Sequence, residues 1–331
     1  MQQDRTAQDR AAETGTHAHA GDPRNADILV SVNGELVPRA EAVVSVFDSG
    51  FILGDGVWEG LRVIDGGIAF LRDHLTRLYE GARAIDMDIG LAPAALADRL
   101  FDCLGANDMT DGVHIRLMVT RGVKSTPYQD PRMTITPATI VIIPEYKLPM
   151  PDLAQRGLSL FTSAIRRTGP DQQDQKLNSH SKLNCIQACI QAAKAGADEA
   201  LMLDPRGFVA TCNSTHFFIV RRGEVWTSGG MYCLGGITRG HVLRVCSDLG
   251  IPAFEKDFSL VDVYGADEAF VTGTFAGVTP VRQVDGRRIG HPLETYGTPD
   301  TDAGAMGPTT RRILEAYKAS AKDGVVRRGE I

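Results

Sequence analysis

Pro144, Pro149 and Pro151 fall close together near the middle of the chain and divide it into two blocks, each mixing strand-like and helix-like patterns. Proline lacks a backbone N–H and fixes φ, so such a cluster ends one sheet and cannot sit inside another. At 331 residues the chain is long enough for two cores of ordinary size. The division predicts a small domain over 28–145, a linker over 146–157 and a larger domain over 158–331.

In the first block, Ile28–Val32 and Glu35–Val37 flank Asn33-Gly34, the signal of a hairpin with a type I′ turn. A second strand–turn–strand follows, with Leu61–Ile64, then Asp65–Gly67, then Ile68–Phe70. Over 71–86, Leu71, Leu75, Leu78, Ala82 and Ile85 share one helical face. A helix over about 93–105 and strands over 113–120 and 138–144 complete an α+β domain. The second block predicts strands over 158–163, 199–204, 207–210, 216–220, 268–272 and 280–284. Helices are expected over about 182–195 and 238–249. The Gly-, Thr-, Asp- and Pro-rich stretch His291–Ala305 is expected as a flexible loop before a last helix from Pro308 to about Lys318.

The formal charge of −6 leaves no electrostatic footprint for nucleic acid. No apolar run approaches the roughly 18–20 residues of a membrane span. Residues 1–27 are polar and contain no apolar segment of the signal-peptide kind, so they are expected as a disordered tail with His17 and His19 solvated. The six cysteines form no CxxC pair, which fits reduced thiols in a cytoplasmic protein. Cys185 and Cys189 lie one helical turn apart without a histidine at metal spacing, so no metal site is expected.

Three separated segments have the chemistry of a phosphate site, which needs backbone N–H groups at a helix start, hydroxyls and a cation. They are Gly235-Gly236-Ile237-Thr238-Arg239 before a predicted helix, the turn-like Thr272-Gly273-Thr274-Phe275-Ala276-Gly277, and Arg72-Asp73-His74-Leu75-Thr76-Arg77. These segments, together with Val44–Arg62 and its Phe47-Asp48-Ser49-Gly50 and Trp58-Glu59-Gly60-Leu61-Arg62 runs, resemble the motifs of the class IV (fold type IV) pyridoxal-phosphate enzymes. That family includes branched-chain aminotransferases, D-amino-acid aminotransferases and aminodeoxychorismate lyases. The resemblance implies a small α+β domain, a larger domain with a β-barrel-like core, and pyridoxal 5'-phosphate between them. It assigns the phosphate to Arg77, Ile237, Thr238 and Thr274, and implies a homodimer.

Two positions depart from the family pattern. Its lysine, which forms an imine with the cofactor and moves a proton at the substrate α-carbon, falls on Asn178 when the chain is aligned back from Gly196-Ala197-Asp198-Glu199-Ala200. Lys182 and Lys176 flank it. Lys182 shares a face with position 178 if the backbone is helical, and Ser181 as N-cap would put it in the first turn, where the dipole lowers an amine's pKa. Lys176 shares a face if the backbone is extended. Lys182 is the favoured candidate. The family's glutamate at the pyridine nitrogen is replaced by Thr211, a hydroxyl able to hydrogen-bond the ring but not to balance its charge.

For the substrate, Trp58 is a candidate pocket wall, and Arg62, His114, Arg116 and Arg121 are candidate polar contacts, because arginine binds carboxylates bidentately. The resemblance implies transfer of an amino group from a branched-chain or similar amino acid to a 2-oxo acid. A lyase of the aminodeoxychorismate type, and a cofactor-free binding protein on the same scaffold, are the other readings.

Overall fold

In the computed structural model the described residues are 15–291 and 306–331. The expected tail over 1–14 and the expected loop over 292–305 lie outside them.

The Asn33-Gly34 turn forms as its residues demand. Both have positive φ (54° and 94°) and join β1 (Leu29–Val32) to β2 (Glu35–Pro38) in antiparallel register. With β3 (Gly56–Ile64), β4 (Gly67–Ala69), β5 (Val113–Thr120), β6 (Thr139–Tyr146) and β16 (Val325–Val326) they make a seven-stranded sheet, ordered β16-β4-β3-β5-β6-β1-β2. β3 begins at Gly56, ahead of the strand expected from Leu61, because it pairs with β5 from Gly56↔Thr120 to Val63↔Val113. The C-terminal β16 pairs back onto β4, antiparallel, from Val325↔Ala69 to Val326↔Ile68.

The short helix α1 (Ser49–Leu53) is capped by Asp48, whose side chain accepts from the Gly50 N–H. Helices α2 (Leu71–Ala84) and α3 (Pro93–Ala106, proline in its first turn) cover the sheet. Leu71, Leu75, Leu78, Leu96 and Leu100 pack there on Leu61, Ile115 and Leu117.

The second sheet holds β7 (Leu158–Thr162), β8 (Glu199–Leu203), β9 (Val209–Cys212), β10 (His216–Arg221), β11 (Glu224–Thr227), β12 (Ala253–Glu255), β13 (Glu268–Gly273) and β14 (Gly277–Val284). Their order is β12-β11-β10-β13-β14-β7-β8-β9, with β15 (Arg287–Arg288) on β14. Its β14–β7–β8 portion is parallel. The sheet curls toward closure, since the Cys212 N–H at the end of β9 donates to the Thr215 carbonyl just before β10 (2.9 Å). Both faces are covered. Phe217 and Val271 point into one core, while Phe218 and Phe270, stacked with ring centres 4.9 Å apart, point into the other. Helices α4 (Leu153–Arg156), α5 (Leu183–Lys194), α6 (Ile237–Asp248), α7 (Leu260–Tyr264) and α8 (Pro308–Asp323) complete the elements. Among the described residues no helix is long and apolar enough to cross a membrane.

From Gly15 onward the segment expected to be disordered is instead pinned. The Thr16 hydroxyl donates to the buried Glu199 carboxylate (2.9 Å), the Gly15 N–H to Asp198 (3.3 Å), and the Met150 N–H to the Ala18 carbonyl (3.2 Å). Two buried carboxylates need donors, and this polar segment supplies some of them.

Glu59 of β3 is fully buried. One of its oxygens lies 2.6 Å from His74 Nδ1, and Arg77 of α2 donates to it through Nε (2.7 Å) and Nη2 (2.6 Å). Burial alone raises this carboxyl's pKa, but the hydrogen bonds and charges of His74 and Arg77 outweigh it and hold the carboxyl below its ordinary 4.5. Glu59→Ala should cost about 3–5 kcal/mol, because it strips a buried ionic cluster of its anion; urea unfolding measures this. The folded pKa lies below the unfolded one, so this stabilisation is present above about pH 4.5 and is lost as pH falls through the lower folded value. The stability gap between wild type and Glu59→Gln should therefore close in acid; a gap that persists there would refute the ionic account.

Candidate active site

A cavity of about 390 Å³ lies between the two sheets. The first sheet contributes Trp58 and Gly60 of β3 with His114 and Arg116 of β5; the second contributes Thr211, His216 and Thr272.

One part of its wall is suited to an anion. Helix α6 starts at Ile237 with Gly236 as an N-cap that has no side-chain hydrogen bond, and Gly236, Ile237 and Thr238 line the cavity. Side chains therefore leave the first-turn N–H groups unclaimed. Gly236 is required there, since a Cβ would lie 2.3 Å from His216 Nε2. Arg77 reaches the same place and donates Nη1 to the Gly235 carbonyl (2.8 Å). Three of its five N–H groups are thus committed to Glu59 and Gly235, leaving two for a ligand. Thr274 lines the cavity beside Gly273 and Phe275; the Thr238 hydroxyl lies 3.4 Å from that of Tyr317.

Lys182 is the only lysine among the described lining residues. It is itself the N-cap of α5, with φ −111° and ψ 13°, because Ser181, expected in that role, instead donates its hydroxyl to the Gly54 carbonyl (3.2 Å). Lys182 Nζ stands 5.6 Å from the centre of the Trp58 ring. Burial, reinforced by Arg167 and Arg77 and opposed by Cys185 and Glu59, lowers its pKa to about 8. The cause is burial among cations, where the sequence suggested the helix dipole. Lys176 is exposed and does not line the cavity.

Asn178 does line it. Residues 178–180 run alongside β3, with the Trp58 N–H donating to the Asn178 carbonyl (3.1 Å) and Asn178 Nδ2 to the Trp58 carbonyl (2.6 Å). Its Oδ1 is buried without a partner, as are His216 Nδ1 and Thr272 Oγ1, and all three residues border the cavity. Buried polar atoms of this kind are ordinarily satisfied, so a polar ligand fits here. Thr211 donates its hydroxyl to the Thr215 carbonyl (2.8 Å). Only its oxygen lone pairs are left for a ligand.

Of the expected substrate residues, Trp58, His114 and Arg116 line the cavity, and the Arg116 guanidinium lies 3.9 Å from the Trp58 ring centre. Arg62 and Arg121 do not line it. Arg62 turns away to donate to the Lys147 carbonyl (2.9 Å). Arg121 pairs with Asp55 (2.7 Å) and donates to the carbonyls of Ile85 and Asp86, tying the end of β5 to the turn after α2. Both assignments are corrected by geometry: each guanidinium is claimed by the protein's own acceptors. Sequence reasoning missed Arg167, which borders the cavity while donating to Cys185 Sγ (2.9 Å) and the Tyr232 carbonyl (3.3 Å). It also missed Thr16 and His17. No motif marks these residues, and only tertiary packing brings them in.

The class IV amino-transferase family model matches residues 56–284, from the first residue of β3 to the last of β14. The branched-chain-amino-acid aminotransferase-like protein 2 of Arabidopsis thaliana is 38% identical over 296 residues, 89% of this chain and 51% of that protein. The chain spans about half the length of the Arabidopsis relatives it matches. A putative branched-chain-amino-acid aminotransferase of Methanocaldococcus jannaschii is 36% identical over 87% of this chain and 95% of its own. Among solved structures, the branched-chain aminotransferase of the thermophilic archaeon Thermoproteus uzoniensis with norvaline matches with a TM-score of 0.76 and 30% identity, over 88% of this chain and 94% of that one. With the central strands of both sheets and most of the cavity lining inside the family match, and a 36% identical relative covered over 95% of its length, the chain belongs to the class IV aminotransferase family.

Proposed function

We propose that this protein is a pyridoxal-phosphate-dependent aminotransferase that moves the amino group of an α-amino acid to a 2-oxo acid, with Lys182 as the catalytic amine. The observation that carries this reading is Lys182 itself: the one lysine among the described residues of the cavity wall, with its pKa lowered to about 8. About a tenth of such an amine is in its neutral, nucleophilic form at pH 7, a far larger share than for an ordinary lysine. The bound cofactor supplies an electron-withdrawing ring that spreads the charge left when the α-proton departs.

The chain's own residues divide the remaining work. Arg77 offers two N–H groups to the phosphate, beside the open start of α6 at Ile237 and Thr238, and Thr274 adds a hydroxyl. Thr211, whose hydroxyl proton goes to the Thr215 carbonyl, would have only its lone pairs to offer the ring nitrogen and would supply no negative charge there. Arg116, held on Trp58 within reach of the same indole as Lys182, receives the substrate α-carboxylate. The names of relatives favour a branched-chain substrate.

A homodimer is part of this reading. Val43, Val44, Val46, Phe47 and Phe51 are exposed in one short stretch, Phe51 at 69%, and a contiguous apolar run of this kind suits a subunit interface. Phe51→Glu with Val46→Glu should give a monomer in light scattering; an unchanged mass would place the interface elsewhere.

The function is tested by a half-reaction. An amino acid alone should convert the holoenzyme's bound cofactor stoichiometrically to its amine form, and a 2-oxo acid should reverse this. Pyruvate released without an acceptor would instead make the protein a lyase, and no spectral change with any amino acid would favour the cofactor-free reading. Arg77→Ala should weaken cofactor binding roughly ten- to hundredfold, as expected for a lost charge-assisted contact of about 1.5–3 kcal/mol. Modification of Lys182 by an amine-directed reagent should rise with pH through about 8 in the cofactor-free protein, where an ordinary lysine would still be protonated.

A further inference from the structure

The charge on the cavity wall is one-sided. Arg77, Arg116, Arg167 and Lys182 border it, and among its described lining residues there is no aspartate or glutamate. Behind the wall, Glu59 is spent on His74 and Arg77. Glu199, the first residue of β8, is buried and carries no such partner: among the described residues no basic side chain pairs with it. Its Oε1 accepts from the Ser214 N–H (2.9 Å), the Ser214 hydroxyl (2.7 Å) and the Thr215 hydroxyl (3.0 Å), and its Oε2 from the Thr16 hydroxyl (2.9 Å). Burial raises its pKa above the ordinary 4.5, and these four donors pull the other way, toward the ionised form. A buried anion without a counter-ion is costly, so its retention here asks for a reason. Its neighbour Asp198 has a cation of its own, Arg156 at 3.1 Å. The charge of Glu199 reaches the wall: after burial, it is the next cause that raises the thiol pKa of Cys189 and of Cys212, and both residues border the cavity.

Thr215 links this anion to Thr211, the residue that stands where the family pattern has its glutamate. Thr215 is buried and borders the cavity; its carbonyl accepts the Thr211 hydroxyl (2.8 Å) while its own hydroxyl meets Glu199. We infer that Glu199 is a positioning residue that supplies, through Thr215, the counter-charge for the cofactor's ring nitrogen that Thr211 lacks. The inference rests on the reading that this cavity holds pyridoxal phosphate. Four cations on the wall disfavour a protonated ring nitrogen, and an anion one hydroxyl behind Thr211 and Thr215 offsets them in an interior that screens charge weakly. The proton is accounted for in both states. With Glu199 ionised, the nitrogen keeps its proton and the Thr215 hydroxyl points at the carboxylate. With the proton on Glu199, the nitrogen is bare and the hydroxyl is released to turn toward it. No further acid or base is needed.

The test reads that proton directly. The holoenzyme is prepared with pyridoxal phosphate isotopically labelled at the ring nitrogen, whose NMR shift differs widely between the protonated and the bare form. Near neutral pH the wild type should show the protonated nitrogen. Glu199→Gln, which keeps the shape and loses the charge, should show it bare. So should Thr215→Val, which leaves Glu199 its bonds to Ser214 and Thr16 and so guards against a loss of fold in the first variant. Thr215→Ser keeps the hydroxyl and should keep the proton. Adding Thr211→Glu to Glu199→Gln should restore it, a rescue that a merely structural role for Glu199 does not allow. A bare nitrogen in the wild type, or one still protonated in Glu199→Gln or Thr215→Val, would overturn the inference and leave the proposed function standing, since the cofactor is bound. Failure of the wild type to bind the cofactor stoichiometrically would overturn both.

Discussion

A single buried carboxylate organises the site. Glu59 sits with no exposure in the middle of β3, and removing its charge from water is tolerable only because His74 and Arg77 meet it from α2. That pairing fixes the Arg77 guanidinium, whose remaining edge crosses to the Gly235 carbonyl at the start of α6. One ion pair thereby holds α2 to the first sheet, ties both to the start of α6, and presents two N–H groups where an anion fits. Phe70, stacked at 3.5 Å on His241, and the His241–Asp73 pair at 2.9 Å reinforce the same junction.

Much of the fold was legible because local chemistry agreed with the final packing. Asn33-Gly34 dictates its turn, Leu71 through Ala82 mark the buried face of α2, and Val113–Thr120 is a strand in pattern and in fact. Elements that depend on distant partners were harder to read. The first half of β3 has glycines at 56 and 60 and becomes a strand through pairing with β5; β16 is two residues long and exists only against β4. The N-terminal segment is polar throughout, which reads as a solvated tail. Its order comes from carboxylates, Asp198 and Glu199, more than 180 residues away in sequence.

The candidate site divides in the same manner. Arg77, Ile237, Thr238 and Thr274 are picked out by the resemblance of their motifs to the family's, and the structure gathers all four on one cavity. Arg62 and Arg121 have the right residue type, but local acceptors claim them: the Lys147 carbonyl for one, Asp55 and two carbonyls for the other. Residue type alone does not say which arginine remains free. The substitution of Asn for the family's lysine reads differently in three dimensions, since Asn178 and Lys182 border the same cavity on either side of the turn into α5. Burial among Arg167 and Arg77 then does for the amine what the sequence assigned to the helix dipole.

The central claim is that Lys182 is the catalytic amine. The most direct measurement is borohydride reduction of the protein loaded with pyridoxal phosphate, followed by mass mapping of its peptides. The account predicts one pyridoxyl group per chain on Lys182, absent from Lys182→Ala. A pyridoxyl group on Lys176, or no stoichiometric label on any lysine, would contradict it.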